Sequence, residues 1–291
     1  MPDKKKAKGQ ELPKSYNFAA LPKIGNKMTL YVFTDPLCSD CWGDDPSLRR
    51  LELEYGDHFD TSYHMFGLWA KGSTIPAGIA DAWDKQARNF GMPMSGKMWR
   101  ENAPDSSHPS CMACKVAFMQ GFIKGEQYTR LVREFALLDG RNIAEWDVLL
   151  EAAKVVGLDA DKFKKDYDEQ GAALLEADMK LVKEVGITCI PTIIIKNGDK
   201  AVAVEDVKDY HVYAEAFKQV APGIERKPLP TEVADLFDRY LSLTARELDE
   251  LTENLNTLEA SSSINKLTTD RKAAKLTYPG GFLWRKVPRK H

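Results

Sequence analysis

Long apolar runs are scarce in this 291-residue chain. The longest, such as "CIPTIII", fall far short of the ~20 residues that cross a bilayer. The N-terminal stretch "MPDKKKAKGQELPKSYNF" is basic and polar. No apolar core of a signal peptide follows it, so secretion is not expected. An excess of one charge is also missing. The net charge of −2 gives no overall bias toward nucleic acid or acidic lipid. Cysteine is sparse, with five in all, which excludes a disulfide scaffold in a chain of this length. The five histidines, His58, His64, His108, His211 and His291, are scattered and form no Cys–His nucleophile signature. There is no glycine-rich phosphate loop, no HExxH motif and no internal repeat. No cofactor is expected.

What is present suits a globular chain. At 43% hydrophobic and 29% charged it has material for one large domain or two ordinary ones. Residues 1–26 read as a flexible, Lys-rich lead-in. "MTLYVFT", Met28 to Thr34, is β-branched and aromatic and stops at Asp35-Pro36, which predicts a buried strand. From about Asp40 to Tyr55 the apolar positions Leu48, Leu51 and Tyr55 recur at helical spacing, with Gly56 as the stop. "FDTSYHMFGL" is a second strand candidate. Residues 76–185 carry helical periodicity and almost no strand signal, which predicts a large helical insertion. Two apolar runs around Asn197-Gly198 then predict a hairpin, and a helix follows over 209–220. "APGIERKPLP" holds three prolines and places a linker at 222–230. Residues 231–291 read as a small, winged-helix-like α+β unit. In it "TARE", Thr244 to Glu247, has capping-box spacing, and two short strands flank Pro279-Gly280-Gly281.

Two segments carry chemistry. In "FTDPLCSDCWGDDP", Cys38 and Cys41 sit where the first strand gives way to a helix. Unpaired N–H groups and the positive dipole end at such a junction stabilise a thiolate, and a thiol one turn on is in reach for a disulfide. Yet Asp35, Asp40, Asp44 and Asp45 surround the pair, and no basic residue appears before Arg49. Negative charge raises the cost of a thiolate. A weakly activated Cys38 and a disulfide of low oxidising power are therefore expected. The second segment is "VGITCIPTIII", where Ile190-Pro191 leads straight into a strand.

These segments resemble known proteins when taken together. "GI-x-x-IPT" resembles the cis-proline loop of thioredoxins, which faces a Cys-x-x-Cys and pairs with a bound peptide. The long helical block resembles the insertion of the DsbA branch. The implied fold is α/β, a thioredoxin-like mixed sheet with a helical insertion, its first domain spanning 27–221. "YVFTDPLCSDCW", "ITCIPTIII", "NIAEWDVLLEAAKVVGLDADKFKKD", "EADMKLVKEV" and the ending "GGFLWRK" together resemble the SpxH (YjbH) family, from about Met28 to Arg285. That resemblance implies a cytoplasmic adapter presenting the redox-responsive regulator Spx to the ClpXP protease. It further implies Cys38, Cys41 and Pro191 as the redox and cis-proline site, with Thr188, Cys189 and Ile190 at the partner-binding loop. The family's zinc-linked His/Cys-rich N-terminal segment is not carried over, because residues 1–27 hold neither residue.

Plainer readings stand beside these. Cys38 and Cys41 could be inert core residues or a metal clip, but redox or redox-sensing thiols are favoured. Cys111 and Cys114 form a second Cys-x-x-Cys, with 69 residues between Cys41 and Cys111. Helix core is favoured for them over a second redox pair, with a zinc site shared with the first pair as the weakest reading. Structural packing is favoured for Cys189. Met92, Met94 and Met98 read as core or a soft binding face. Lys266–Lys290 holds eight basic residues and one aspartate. It reads as a solvated or partner-facing surface, with nucleic acid the minor alternative. Two functions remain: the adapter, and a thiol–disulfide oxidoreductase or isomerase using Cys38 and Cys41. Only the second would be an enzyme.

Overall fold

A computed structural model describes residues 16–252 and 257–287. The central sheet has four strands: β1 (Met28–Thr34), β2 (Phe59–Met65), β3 (Thr192–Asn197) and β4 (Lys200–Glu205). Their order is β2-β1-β3-β4, with β2 parallel to β1 and the other pairs antiparallel. β1 lies inside and is buried at every position, which is why apolar residues occupy both of its faces instead of alternating with solvent-facing polar ones. Leu30 and Val32 pack with Leu48 and Leu51 of α1 (Ser39–Tyr55) and Phe217 of α8 (Tyr210–Val220). Tyr31 and Phe33 face the other way, onto Val182 and Val185 of α7 (Ala160–Val185). β3 and β4 form the expected hairpin, with Gly198-Asp199 as the two-residue loop and Gly198 at φ 59°.

Between β2 and β3 lies the helical insertion: α2 (Ile79–Phe90), α3 (Lys97–Glu101), α4 (His108–Phe118), α5 (Phe122–Leu137), α6 (Trp146–Val155) and α7. It closes over the largest apolar cluster, which includes Met92, Met94, Met98, Cys111 and Cys114. Those methionines are core, none more than 1% exposed.

Two segments depart from expectation. The lead-in was expected to be flexible through residue 26. Its described part, from Tyr16, instead packs on the sheet: the Asn17 amide donates to the Val185 carbonyl at 2.9 Å, and Leu21 is buried. Tyr16, Phe18 and Leu21 supply apolar surface that the lysines before them obscure in a composition reading. Residues 1–15 lie outside the described residues. The proline-rich stretch at 222–230 contains no helix or strand, yet it is anchored. Leu229 is buried, and the Lys227 amide donates to the Glu54 carbonyl at 2.9 Å.

The C-terminal segment contains α9 (Val233–Arg239), β5 (Ser242–Thr244), α10 (Ala245–Leu251), α11 (Thr257–Thr269), β6 (Ala273–Tyr278) and β7 (Gly281–Lys286). Its antiparallel sheet has the order β5-β7-β6 over its own apolar cluster. The tip of the β6–β7 hairpin rests on the insertion, where the Met94 amide donates to the Pro279 carbonyl at 3.1 Å.

Candidate functional site

Cys38 is the residue that caps α1. Its sulfur accepts the Cys41 amide at 3.0 Å, filling the role a side-chain oxygen usually plays at a helix start. The Cys38 thiol also lies 3.8 Å from the Ile190 carbonyl. The Ile190–Pro191 bond is cis. Around it, Thr192 Oγ1 donates to the Cys189 carbonyl at 2.8 Å, and the Asp206 amide donates to the Pro191 carbonyl at 2.9 Å. The fold thus brings Cys38, Cys41 and the Thr188–Pro191 loop together from opposite ends of the domain. Between them and the insertion runs an open groove of about 440 Å³. Cys38, Thr188, Cys189 and Ile190 line one side. Trp69, Ile79 and Trp83 form much of the apolar wall opposite.

Cys38 is only 5% exposed. Burial pushes its thiol well above the ordinary range; Cys41 adds to the shift, and Asp40 adds less. The aspartates therefore matter differently from the sequence reading. Asp35 turns inward and accepts from the amides of Leu37 (2.9 Å) and Leu68 (2.8 Å) and from the hydroxyl of Ser107 (2.9 Å). Asp44 accepts from Tyr213 Oη at 2.6 Å and from the Lys208 amide at 3.2 Å, and burial pushes it up to about 7. Asp45 pairs with Arg130 at 2.8 Å and Arg133 at 3.0 Å. Asp40 adds its charge to the Cys38 shift.

Those arginines lie about 90 positions from Cys38 along the chain, so the local sequence around the dithiol does not display them. Their signal was two arginines three apart inside the apolar pattern "YTRLVREFALL". They lie on the buried face of α5. Arg130 also stacks over Trp42, 4.0 Å from the ring, and the Trp42 indole donates to the Pro93 carbonyl at 3.0 Å.

Cys111 and Cys114 are completely buried in α4. The Cys111 thiol donates to Asp35 Oδ2 at 3.2 Å. Burial raises both thiols, Cys114 to about 12. A thiol that donates to a carboxylate keeps its proton, an arrangement that suits packing within the helical block. Among the described residues no group of three or more His, Cys, Asp or Glu could hold a metal. His64 is a structural residue, its Nδ1 within 2.9 Å of Asp178.

Comparison with known proteins fits this geometry. A family profile described as thioredoxin matches residues 31–215. A Bacillus subtilis protein described as "ClpXP adapter protein SpxH" is 31% identical over 270 residues, covering 89% of each chain. The chain belongs to the SpxH family. A second relative of that description, from Halalkalibacterium halodurans, is 29% identical and covers 89% of this chain and 88% of its own. A solved Streptomyces coelicolor chain described as a probable DsbA oxidoreductase superposes with a TM-score of 0.55 at 18% identity. That match covers 70% of this chain and 93% of the other, and it supports the DsbA-like fold. With 89% of the chain covered, the match to these relatives reaches into the C-terminal segment, whereas the thioredoxin match ends at residue 215. No described helix is long and apolar enough to cross a membrane.

Proposed function

We propose that this chain is a cytoplasmic adapter that holds an Spx-like regulator and promotes its degradation by ClpXP. One observation of the site carries the reading. The groove where thioredoxin-type proteins do their chemistry is built here around a thiol that is buried and pushed up. Such a thiol is a poor nucleophile, so the groove is better suited to holding a partner than to turning one over. The relatives described as SpxH support the same reading along nearly their whole length. Thr188, Cys189 and Ile190 are the proposed contacts to the partner, beside Pro191. Cys38 and Cys41 then act at most as sensors. Residues 231–291 are proposed as a winged-helix-like unit that enlarges the partner surface, joined through 222–230 to the domain at 27–221.

The test is degradation of the regulator by reconstituted ClpXP, with wild type and with Cys38→Ser/Cys41→Ser. Unchanged degradation supports the adapter. If the chain neither binds the regulator nor accelerates its loss, the reading fails. The second reading is a thiol–disulfide oxidoreductase, favoured by the close approach of the Cys41 amide and the Ile190 carbonyl to the Cys38 sulfur. Turnover of a protein disulfide that disappears in Cys38→Ser would select it.

A further inference from the structure

A small cavity lies where three parts of the fold meet. Glu52 of α1, Tyr63 of β2, Glu126 of α5 and Arg239 at the end of α9 line about 60 Å³ between them. The C-terminal segment thus touches both the sheet domain and its helical insertion here. Both carboxylate side chains are 11% exposed. Arg239 lies 2.5 Å from Glu126 and 3.9 Å from Glu52. Tyr63 Oη stands 3.4 Å from each carboxylate, and its one proton serves one of them at a time.

The other charges around the cavity are already matched. Arg49 pairs with Glu247 and donates to the Ser242 carbonyl. Arg130 pairs with Asp45, Glu134 and Glu247, and Arg133 pairs with Asp45. Among the described residues, Arg239 is therefore the cation left to two carboxylates. Two like charges against one cation are costly where water is scarce, and a proton on one carboxylate removes the excess. The cavity has room for about four waters, too few to solvate a second charge as bulk water would. The electrostatics agree with this count. Burial pushes Glu52 up to about 8; Glu126 adds to the shift, Arg239 and Arg49 oppose it, and Asp45 adds less. Burial also raises Glu126, against the pull of Arg239. It raises the Tyr63 and Tyr240 hydroxyls above their ordinary range, so both stay protonated.

We propose that Glu52 and Glu126 share one proton, and that this proton latches the C-terminal segment to the body, releasing it when lost as pH rises. With the latch closed, Glu52 keeps its proton up to about pH 8. With the latch open, Glu52 meets water and loses the proton near the ~4.3 of an ordinary glutamate. The closed state is therefore favoured at low pH. Opening grows by about tenfold per pH unit between those values and levels off above the higher one. The groove at Cys38 plays no part in the latch, which stands apart from the adapter reading.

Trypsin cleavage of the native full chain after Arg239 reads the opened population. Its rate is followed by mass spectrometry from about pH 6.5 to about pH 9.5, and divided at each pH by the rate for Glu52→Gln. The division removes the protease's own pH dependence. The ratio should rise by close to tenfold per pH unit, then stay level above about 8. Glu126→Gln should move the levelling point to lower pH, because Arg239 then serves Glu52 alone. Cleavage after Arg239 should also outpace cleavage after Lys196 of β3, as local opening requires. A ratio that is flat across the range overturns the latch, and so does an unmoved levelling point in Glu126→Gln. Equal cleavage after Arg239 and Lys196 overturns the local opening. Should Glu52→Gln not fold, the rate of wild type over Glu126→Gln decides: that ratio rises between the two levelling points, or stays flat and sinks the proposal.

Discussion

At Cys38, burial and neighbouring charge push in the same direction, and burial is the larger. The thiol should therefore alkylate slowly at neutral pH, with its reactivity rising only above the ~8.5 of an ordinary thiol. Iodoacetamide rates against pH, read in Cys189→Ser to isolate the slower site, would measure this. Half-maximal reactivity near the ~3.5 of DsbA would refute it. Asp44 gives a second residue-scale outcome. Its folded-state pKa of about 7 exceeds the ~3.9 of an unfolded aspartate. The folded chain thus holds the extra proton between those values, and this residue's contribution to stability falls as pH rises through them. Asp44→Asn removes that slope. Urea denaturation from about pH 4 to about pH 8 should show the variant gaining on wild type as pH rises. Parallel profiles would mean that Asp44 ionises freely in the fold.

Among the elements, the helix starts are set by local chemistry that the sequence displays. Thr244 Oγ1 accepts the Glu247 amide at 3.2 Å, and Glu247 Oε2 accepts the Thr244 amide at 2.7 Å, the capping box read from "TARE". Cys38 capping α1 follows equally from its place at the strand–helix junction. Element contacts across the chain were not legible. Gly96, at the start of α3, is an instance. A Cβ there would stand 2.2 Å from the Ala80 carbonyl oxygen of α2. Gly96→Ala should thus cost about 1–3 kcal/mol by forcing the two elements apart, seen as a lower urea midpoint with an unchanged slope. A neutral effect would show that the α2–α3 approach is loose.

For the molecule as a whole, buried charge ties the thioredoxin-type body to the C-terminal segment. Arg130 pairs with Asp45, Glu134 and Glu247. Arg285 reaches Glu134 at 2.8 Å, and Tyr278 donates to Asp139 at 2.9 Å. Glu247 is fully buried; despite that desolvation, its arginine partners hold its carboxyl below the usual range. Removing one member of such a cluster strands the others without compensation. Glu247→Gln should cost about 3–5 kcal/mol, read as a fall in thermal midpoint. Because the network spans both parts, calorimetry of wild type should show one cooperative transition. Two separated transitions would mean that the parts unfold independently.

The sequence by itself determined the thioredoxin-type order of strands and helices, the Cys38–Cys41 junction, the Pro191 loop and the family. These depend on periodicity, turn residues and motif spacing, which are local properties of the chain. It also put four aspartates around the dithiol, but their orientation was not legible there. Tertiary structure alone decided that Asp35 serves as a buried acceptor for Ser107 and Cys111 and that Asp45 is matched by arginines from α5. It likewise decided that Cys189, rather than Cys38, meets solvent. The reason is physical. Exposure and charge pairing depend on which distant segments close over a residue, and those segments lie dozens of positions away in sequence.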